Sequence, residues 1–129
     1  MQLARFLMVA AGGALGSMAR YWVGGWAPRI FGQAFPYGTL IVNTVGSFLV
    51  AVIMSVGLRT TVISPNLRLF LTVGVMGGFT TYSSFNYETL ALFQQRLWMT
   101  GALNMAVTGL GCLLAGVLGL ALAQVTIGS

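Results

Sequence analysis

The chain has 129 residues, of which 57% are hydrophobic and only 5% charged, with a formal net charge of +5. Its mean hydropathy is +0.91. A soluble domain carries about 25% charged residues, so this composition excludes an ordinary aqueous surface and implies a lipid bilayer as the surroundings.

The charges are few enough to place one by one. Arg5, Arg20, Arg29, Arg59, Arg68 and Arg96 stand singly between apolar segments. There is no basic run and no aromatic–basic platform, so the positive balance does not read as nucleic-acid binding. Glu88 is the sole acid, histidine is absent, and Cys112 is the sole cysteine. That inventory leaves no intrachain disulfide and no multi-thiolate metal site. It also leaves almost no material for general acid–base work, so an enzyme is not expected.

A membrane-spanning helix needs about 20 mostly apolar residues. The first predicted span covers residues 3–25. Arg5 before an apolar run also fits a signal peptide, but the chain downstream is equally apolar, which makes a transmembrane helix the simpler reading. Gly12 and Gly16 stand four apart and permit close backbone approach, within the chain or to a second copy. Arg20 either snorkels to the interface or lends positive potential to a vestibule. A loop with two prolines runs from Trp26-Ala-Pro-Arg29 through Pro36-Tyr-Gly38.

The second span covers residues 38–58, and on it Thr39, Asn43 and Ser47 recur every four residues on one face. The loop from Arg59 to Arg68 contains Pro65. The third span covers residues 67–93, and Gln94-Gln-Arg96 forms a tight turn into the fourth, residues 97–126. There Thr100, Asn104, Thr108 and Cys112 repeat the four-residue spacing, while Gly111, Ala115 and Gly119 form a stripe of small residues. Trp22, Trp26, Tyr37 and Trp98 fall near span ends, where amphipathic rings favour the interface. Nothing divides the chain, so a single domain over 1–129 is expected.

Each polar residue inside so apolar a chain carries a cost. The two neutral stripes read either as interhelical hydrogen bonding or as a polar track. The third span is the most informative: Gly77-Gly-Phe-Thr-Thr-Tyr-Ser-Ser-Phe-Asn-Tyr-Glu88. Glycine costs about 1 kcal/mol relative to alanine inside a helix, and Ser and Thr compete for backbone hydrogen bonds. The run therefore predicts a helix broken at mid-membrane, tolerated only inside protein or beside water. Its carbonyl end suits a cation and its amide end an anion. Tyr82 and Phe85 share a face, and aromatic ring edges are positive; the same spacing also serves simple core packing. Glu88 either accepts hydrogen bonds from nearby hydroxyls and amides or takes part in ion coupling.

Loop arginines give a weak orientation signal. Arg5, Arg59 and Arg68 fall on one side, Arg29 and Arg96 on the other, so the chain has little preference for one insertion. Two oppositely inserted copies can pair about an axis in the membrane plane.

The run Gly77 to Glu88 resembles the signature of the CrcB/Fluc family of fluoride channels. Gly12-Gly-Ala-Leu-Gly-Ser-Met-Ala-Arg20-Tyr-Trp and Gly38-Thr-Leu-Ile-Val-Asn43-Thr-Val-Gly46 resemble the family's first and second helices; the fourth agrees in character. The resemblance implies an all-α membrane protein with four transmembrane helices per subunit, assembled as an antiparallel, dual-topology homodimer in the bacterial cytoplasmic (inner) membrane. It implies two antiparallel pores and passive export of fluoride. By that analogy Asn43 lines the pore, and Tyr82 and Phe85 present ring edges to the ion. Gly77 and Thr80 would give backbone carbonyls to a structural sodium ion at the dimer centre. Thr39, Thr81, Ser83, Ser84, Glu88, Asn104 and Thr108 would extend the polar track, with Arg20 at the vestibule. The sequence departs from the family where phenylalanine is usual at 82, threonine common at 84 and tyrosine frequent at 104, and where a hydroxyl is expected in place of Cys112. The rival class is a small dual-topology, proton-coupled drug exporter. That class calls for a glutamate in the first helix, and this first helix has none.

Overall fold

The computed structural model describes residues 2–128, and every regular element in it is helical. In chain order these are α1 (Gln2–Phe31), α2 (Tyr37–Arg59), α3 (Pro65–Leu69), a π-helical segment (Phe70–Met76), α4 (Gly77–Phe79), α5 (Tyr82–Gln94) and α6 (Trp98–Ile127). Residues 65–79 form one nearly continuous helical stretch. Thr80 and Thr81 then take extended backbone before α5 starts.

Four helical columns result. α2 packs along α6, α1 packs along residues 65–79 and against α2, and α5 leans on α6. By length and composition, α2 and α6 are apolar enough to cross a membrane. The other two expected spans are less clear-cut. α1 has the length but dilutes its apolar content with Arg5, Arg20, Arg29 and several glycines, and the third stretch is divided.

One boundary differs from the sequence reading. α1 does not stop at Gly25 but continues through Pro28 to Phe31. An interior proline forfeits a hydrogen bond and crowds the carbonyl four residues earlier. Here tertiary packing outweighs that cost. Ala27 is completely buried, Val23 and Val42 join it in the apolar core, and Trp26, Tyr37, Ile41 and Phe79 close around them. The helix ends only where Gly32 adopts φ +93° and its N–H reaches the Pro28 carbonyl at 2.9 Å, a left-handed cap that glycine accepts without strain.

The remaining ends follow local chemistry. Ser64 caps α3 by accepting from the Leu67 N–H at 3.1 Å, with Pro65 in the first turn, where its missing N–H costs nothing. The α5–α6 turn is a Schellman-type closure. The Leu97 N–H meets the Leu92 carbonyl and the Arg96 N–H meets that of Phe93, both at 2.9 Å. Arg96 sits at φ 62° in the position glycine usually fills.

Glycines set the closest contacts. A Cβ on Gly12 would stand 2.7 Å from the Phe70 carbonyl oxygen, and one on Gly16 would overlap the Val75 carbonyl. Both therefore serve packing within the chain. On α6, Ala115 and Gly119 are buried, and a Cβ on Gly119 would stand 2.5 Å from the Phe48 carbonyl of α2. Gly111 has open space around it.

Candidate functional site

The extended pair Thr80–Thr81 is the centre of the polar chemistry. At the end of α4, the Thr80 N–H and hydroxyl both donate to the Met76 carbonyl, at 3.0 and 2.9 Å. Arg20 Nε donates to the Gly78 carbonyl at 3.0 Å. A guanidinium at a helix C-terminus satisfies an orphan carbonyl and complements the dipole. On the other side, Thr81 is the N-cap of α5, its hydroxyl accepting from the Ser84 N–H at 3.1 Å. The Ser83 hydroxyl lies 3.4 Å from the same oxygen.

Asn43 joins α2 to this junction. Its Oδ1 accepts from the Thr81 N–H at 2.8 Å, and its Nδ2 donates to the Thr81 carbonyl at 3.0 Å. In a continuous helix the Thr81 N–H would bond the Gly77 carbonyl. Here it is given to Asn43, and the Ser84 N–H, four residues after Thr80, is given to the Thr81 hydroxyl. The Gly77 and Thr80 carbonyls are thereby released from helical pairing. Unwound backbone carbonyls are the kind of oxygen a monovalent cation takes, so these two residues fit a sodium ion in donor chemistry. Among the described residues no cluster of His, Cys, Asp or Glu could hold a metal.

A groove of about 310 Å³ opens beside the junction. Its walls are Asn43, Ser47, Thr80, Thr81, Tyr82, Phe85, Thr108, Gly109 and Cys112. The Tyr82 and Phe85 rings lie 5.7 Å apart, tilted by 58°, and both line the groove. Every polar group lining the groove is neutral. A second cleft of about 620 Å³ adjoins the same residue, since Thr81 lines both; Arg20, Arg29, Trp26, Thr39 and Ser84 are among its walls. Thr39 also lies beside the Glu88 carboxyl, whose Oε1 is buried without a hydrogen-bond partner among the described residues. Glu88 itself lines a third cleft, of about 280 Å³, with Tyr87 and the 32–38 loop.

The structure thus brings Asn43, Thr80, Thr81, Tyr82, Phe85 and Thr108 into one groove. It places Arg20, Thr39 and Ser84 in the neighbouring cleft, and leaves Ser83 and Gly77 exposed at the two helix ends. Asn104 stands apart. It is buried to 1% exposure, donates to Thr89 Oγ1 at 2.9 Å and accepts from Thr108 Oγ1 at 3.3 Å, while the Thr89 hydroxyl donates to the Phe85 carbonyl at 2.8 Å. In the single chain Asn104 is an interhelical bridge behind the groove. The sequence reading did not name Ser47, Gly109 or Cys112 as site residues. Ser47 and Cys112 do sit on the two four-residue stripes, and that spacing was the signal that could have found them. Cys112 Sγ lies 3.9 Å from Thr44 Oγ1.

Apolar helices around a neutral, hydrogen-bonding junction define a small all-helical membrane protein. The chain belongs to the CrcB family: the family model described as CrcB-like protein, Camphor Resistance (CrcB), matches residues 7–120. It is 58% identical over 113 residues to an Anaeromyxobacter dehalogenans protein named fluoride-specific ion channel FluC, covering 88% of this chain and 90% of that one. Proteins of the same name from Sorangium cellulosum and Geobacter metallireducens are 51% and 47% identical, over 93% and 90% of this chain and 94% of each relative.

Proposed function

We propose that this chain is a fluoride-selective passive channel that exports the ion from the cytoplasm and so lowers its toxicity. The observation that carries the reading is the 58% identity, over nearly the whole chain, to a relative named for fluoride-specific conduction. The groove supports it chemically. Fluoride is small and a strong hydrogen-bond acceptor, and amide, hydroxyl and ring-edge donors can offset its lost water. A fixed charge would hold it too tightly, whereas conduction needs weak, multiple sites. The groove residues Asn43, Thr81, Tyr82, Phe85 and Thr108 supply such donors, and the first turn of α5 adds backbone N–H groups and the positive end of a helix dipole.

The finer architecture is part of the same proposal. α1, α2, residues 65–94 and α6 cross the bacterial inner membrane, with the Thr80–Thr81 interruption at mid-depth, where unwound backbone needs protein or water around it. Two oppositely inserted copies form a homodimer with two antiparallel pores at its interface. Three arginines against two across the loops favour neither insertion. The outer face of α6, with Leu103, Leu110, Leu114 and Leu118 exposed, asks for lipid or a partner. The Gly77 and Thr80 carbonyls of both copies would hold a structural sodium ion at the centre. Arg20 would serve the vestibule, and Thr39, Ser83, Ser84, Glu88 and Asn104 would extend the polar track. The proton-coupled drug exporter is not supported: α1 carries no acid, and the relatives are named as ion channels.

Fluoride efflux from liposomes containing the purified protein, read with a fluoride electrode beside a chloride control, tests the activity. Rapid fluoride loss without chloride loss and without a proton gradient is the expected result; well-folded protein that releases no fluoride overturns it. Several lysines added to one terminus should force one insertion and cut efflux. Full activity of that variant by itself would rule out the antiparallel pair.

A further inference from the structure

The pairing of Asn43 with Thr81 links residues 38 positions apart. Its chemistry leaves no choice of orientation. A backbone N–H can only donate and a carbonyl can only accept. The atom facing the Thr81 N–H must therefore be Oδ1, and the atom facing the Thr81 carbonyl must be Nδ2. Thr81 can address both ends of the amide because its backbone is extended, at φ −152° and ψ 115°, which turns its own N–H and C=O toward the same side. The pairing uses one edge of the amide. One Nδ2–H remains on the nitrogen flank and one oxygen lone pair on the other flank, each held in place by the pairing, and Asn43 is a wall of the groove.

An unrestrained carboxamide can turn either its oxygen or its nitrogen toward an ion, and so can meet a cation or an anion. We propose that the Thr81 main chain is a polarity lock on Asn43: it holds the amide from turning over, so that its free N–H rather than its oxygen serves the groove, which suits a small anion that accepts hydrogen bonds and disfavours cations. Thr81 is then a positioning residue that acts through Asn43 with its peptide groups rather than its hydroxyl. The ion in question rests on the channel reading above; the lock itself is a property of the two residues.

Nuclear magnetic resonance of the Asn43 side-chain amide tests this. The full chain is labelled with 15N-asparagine, solubilised, and titrated with sodium fluoride, with sodium chloride as control; the Asn43→Ala spectrum assigns the signals. One Nδ2 proton is expected to exchange slowly with water and keep its shift throughout. The other is expected to move with fluoride and not with chloride. Two protons that exchange alike and move together overturn the lock, as does the absence of any fluoride-dependent shift in a preparation that conducts fluoride in liposomes. A preparation that conducts no fluoride yet keeps one proton slow and the other fast sinks the channel reading and leaves the lock standing.

Discussion

The helical stretches on either side of Thr80–Thr81 are held in place by different physics. Residues 65–79 are held chiefly by shape, with Arg20 and Arg68 adding hydrogen bonds to the Gly78 and Gly57 carbonyls. They lie on α1 along a seam where Gly12 meets Gly74, Gly16 meets the backbone of Val75 and Phe79, and Gly78 packs so closely that a Cβ on it would stand 2.5 Å from the Gly13 carbonyl. α5 is held by hydrogen bonds, through Thr89 and Asn104 to α6 and through Thr81 and Asn43 to α2. In surroundings where lipid competes equally for apolar surface, close backbone packing and polar bridges are the two available ways to fix a helix. The lesson is a division of labour. The side before the interruption is fixed chiefly by removing side chains, which leaves its backbone carbonyls as its polar groups there, and the side that lines the groove is fixed by polar side chains.

Substitutions can break that contrast at each level. The largest effect is expected at the seam. Gly16→Leu places a side chain against the Val75 carbonyl and the Phe79 amide, where backbone leaves no room to relax. It should abolish the monodisperse folded species on size exclusion. Gly13→Ala, on the same helix but with nothing near its Cβ, should stabilise by about 1 kcal/mol through helix propensity, read as a raised thermal midpoint. Equal damage from both would mean that the seam is not shape-determined.

On the groove side, Phe85→Ile should leave the folded species intact and abolish fluoride efflux, since the aliphatic side chain has no positive ring edge to offer. Unchanged flux would remove Phe85 from the path. Asn104→Leu should cost roughly 1–2 kcal/mol, the range for a hydrogen-bonded bridge between membrane helices, and reduce flux less than Phe85→Ile does. A flux loss as complete as that of Phe85→Ile, with no change in stability, would place Asn104 in the path rather than behind it. The smallest effect is expected from Tyr82→Phe. The side chain is 76% exposed and its hydroxyl makes no hydrogen bond among the described residues. Stability should not change, and efflux should shift by no more than about fivefold, the worth of one ordinary hydrogen bond.

Much of the candidate site's placement on the helices was legible in the sequence. The four-residue recurrence of Thr39, Asn43 and Ser47 puts them on one face of a helix whatever that helix packs against, and the Gly-Gly and Thr-Thr run around residue 80 conflicts with a continuous helix on local grounds alone. The same periodicity placed Asn104 on the face of the track, and within the chain its amide bonds Thr89 and Thr108. It shares a face with Thr108 and Cys112, but α5 covers the part of that face where Asn104 sits. Pro28 misled in the other direction. Its local penalty is real, but the burial of Ala27 and the packing of Trp26 outweigh it, and the long-range contacts behind them come from α2 and Phe79.

The sequence by itself therefore determined the solvent, the helical class, the approximate spans and the faces on which polar groups lie. These depend on composition and on the 3.6-residue repeat, both carried by neighbours along the chain. Only the tertiary structure decided which partner each polar group meets. Arg20 reaches the Gly78 carbonyl across 58 positions, Asn43 takes Thr81, and Asn104 turns to Thr89. A periodic pattern says which way a side chain points, but the hydrogen bond it makes depends on which other helix passes there, and in an apolar environment that partner fixes whether the group serves structure or the ion.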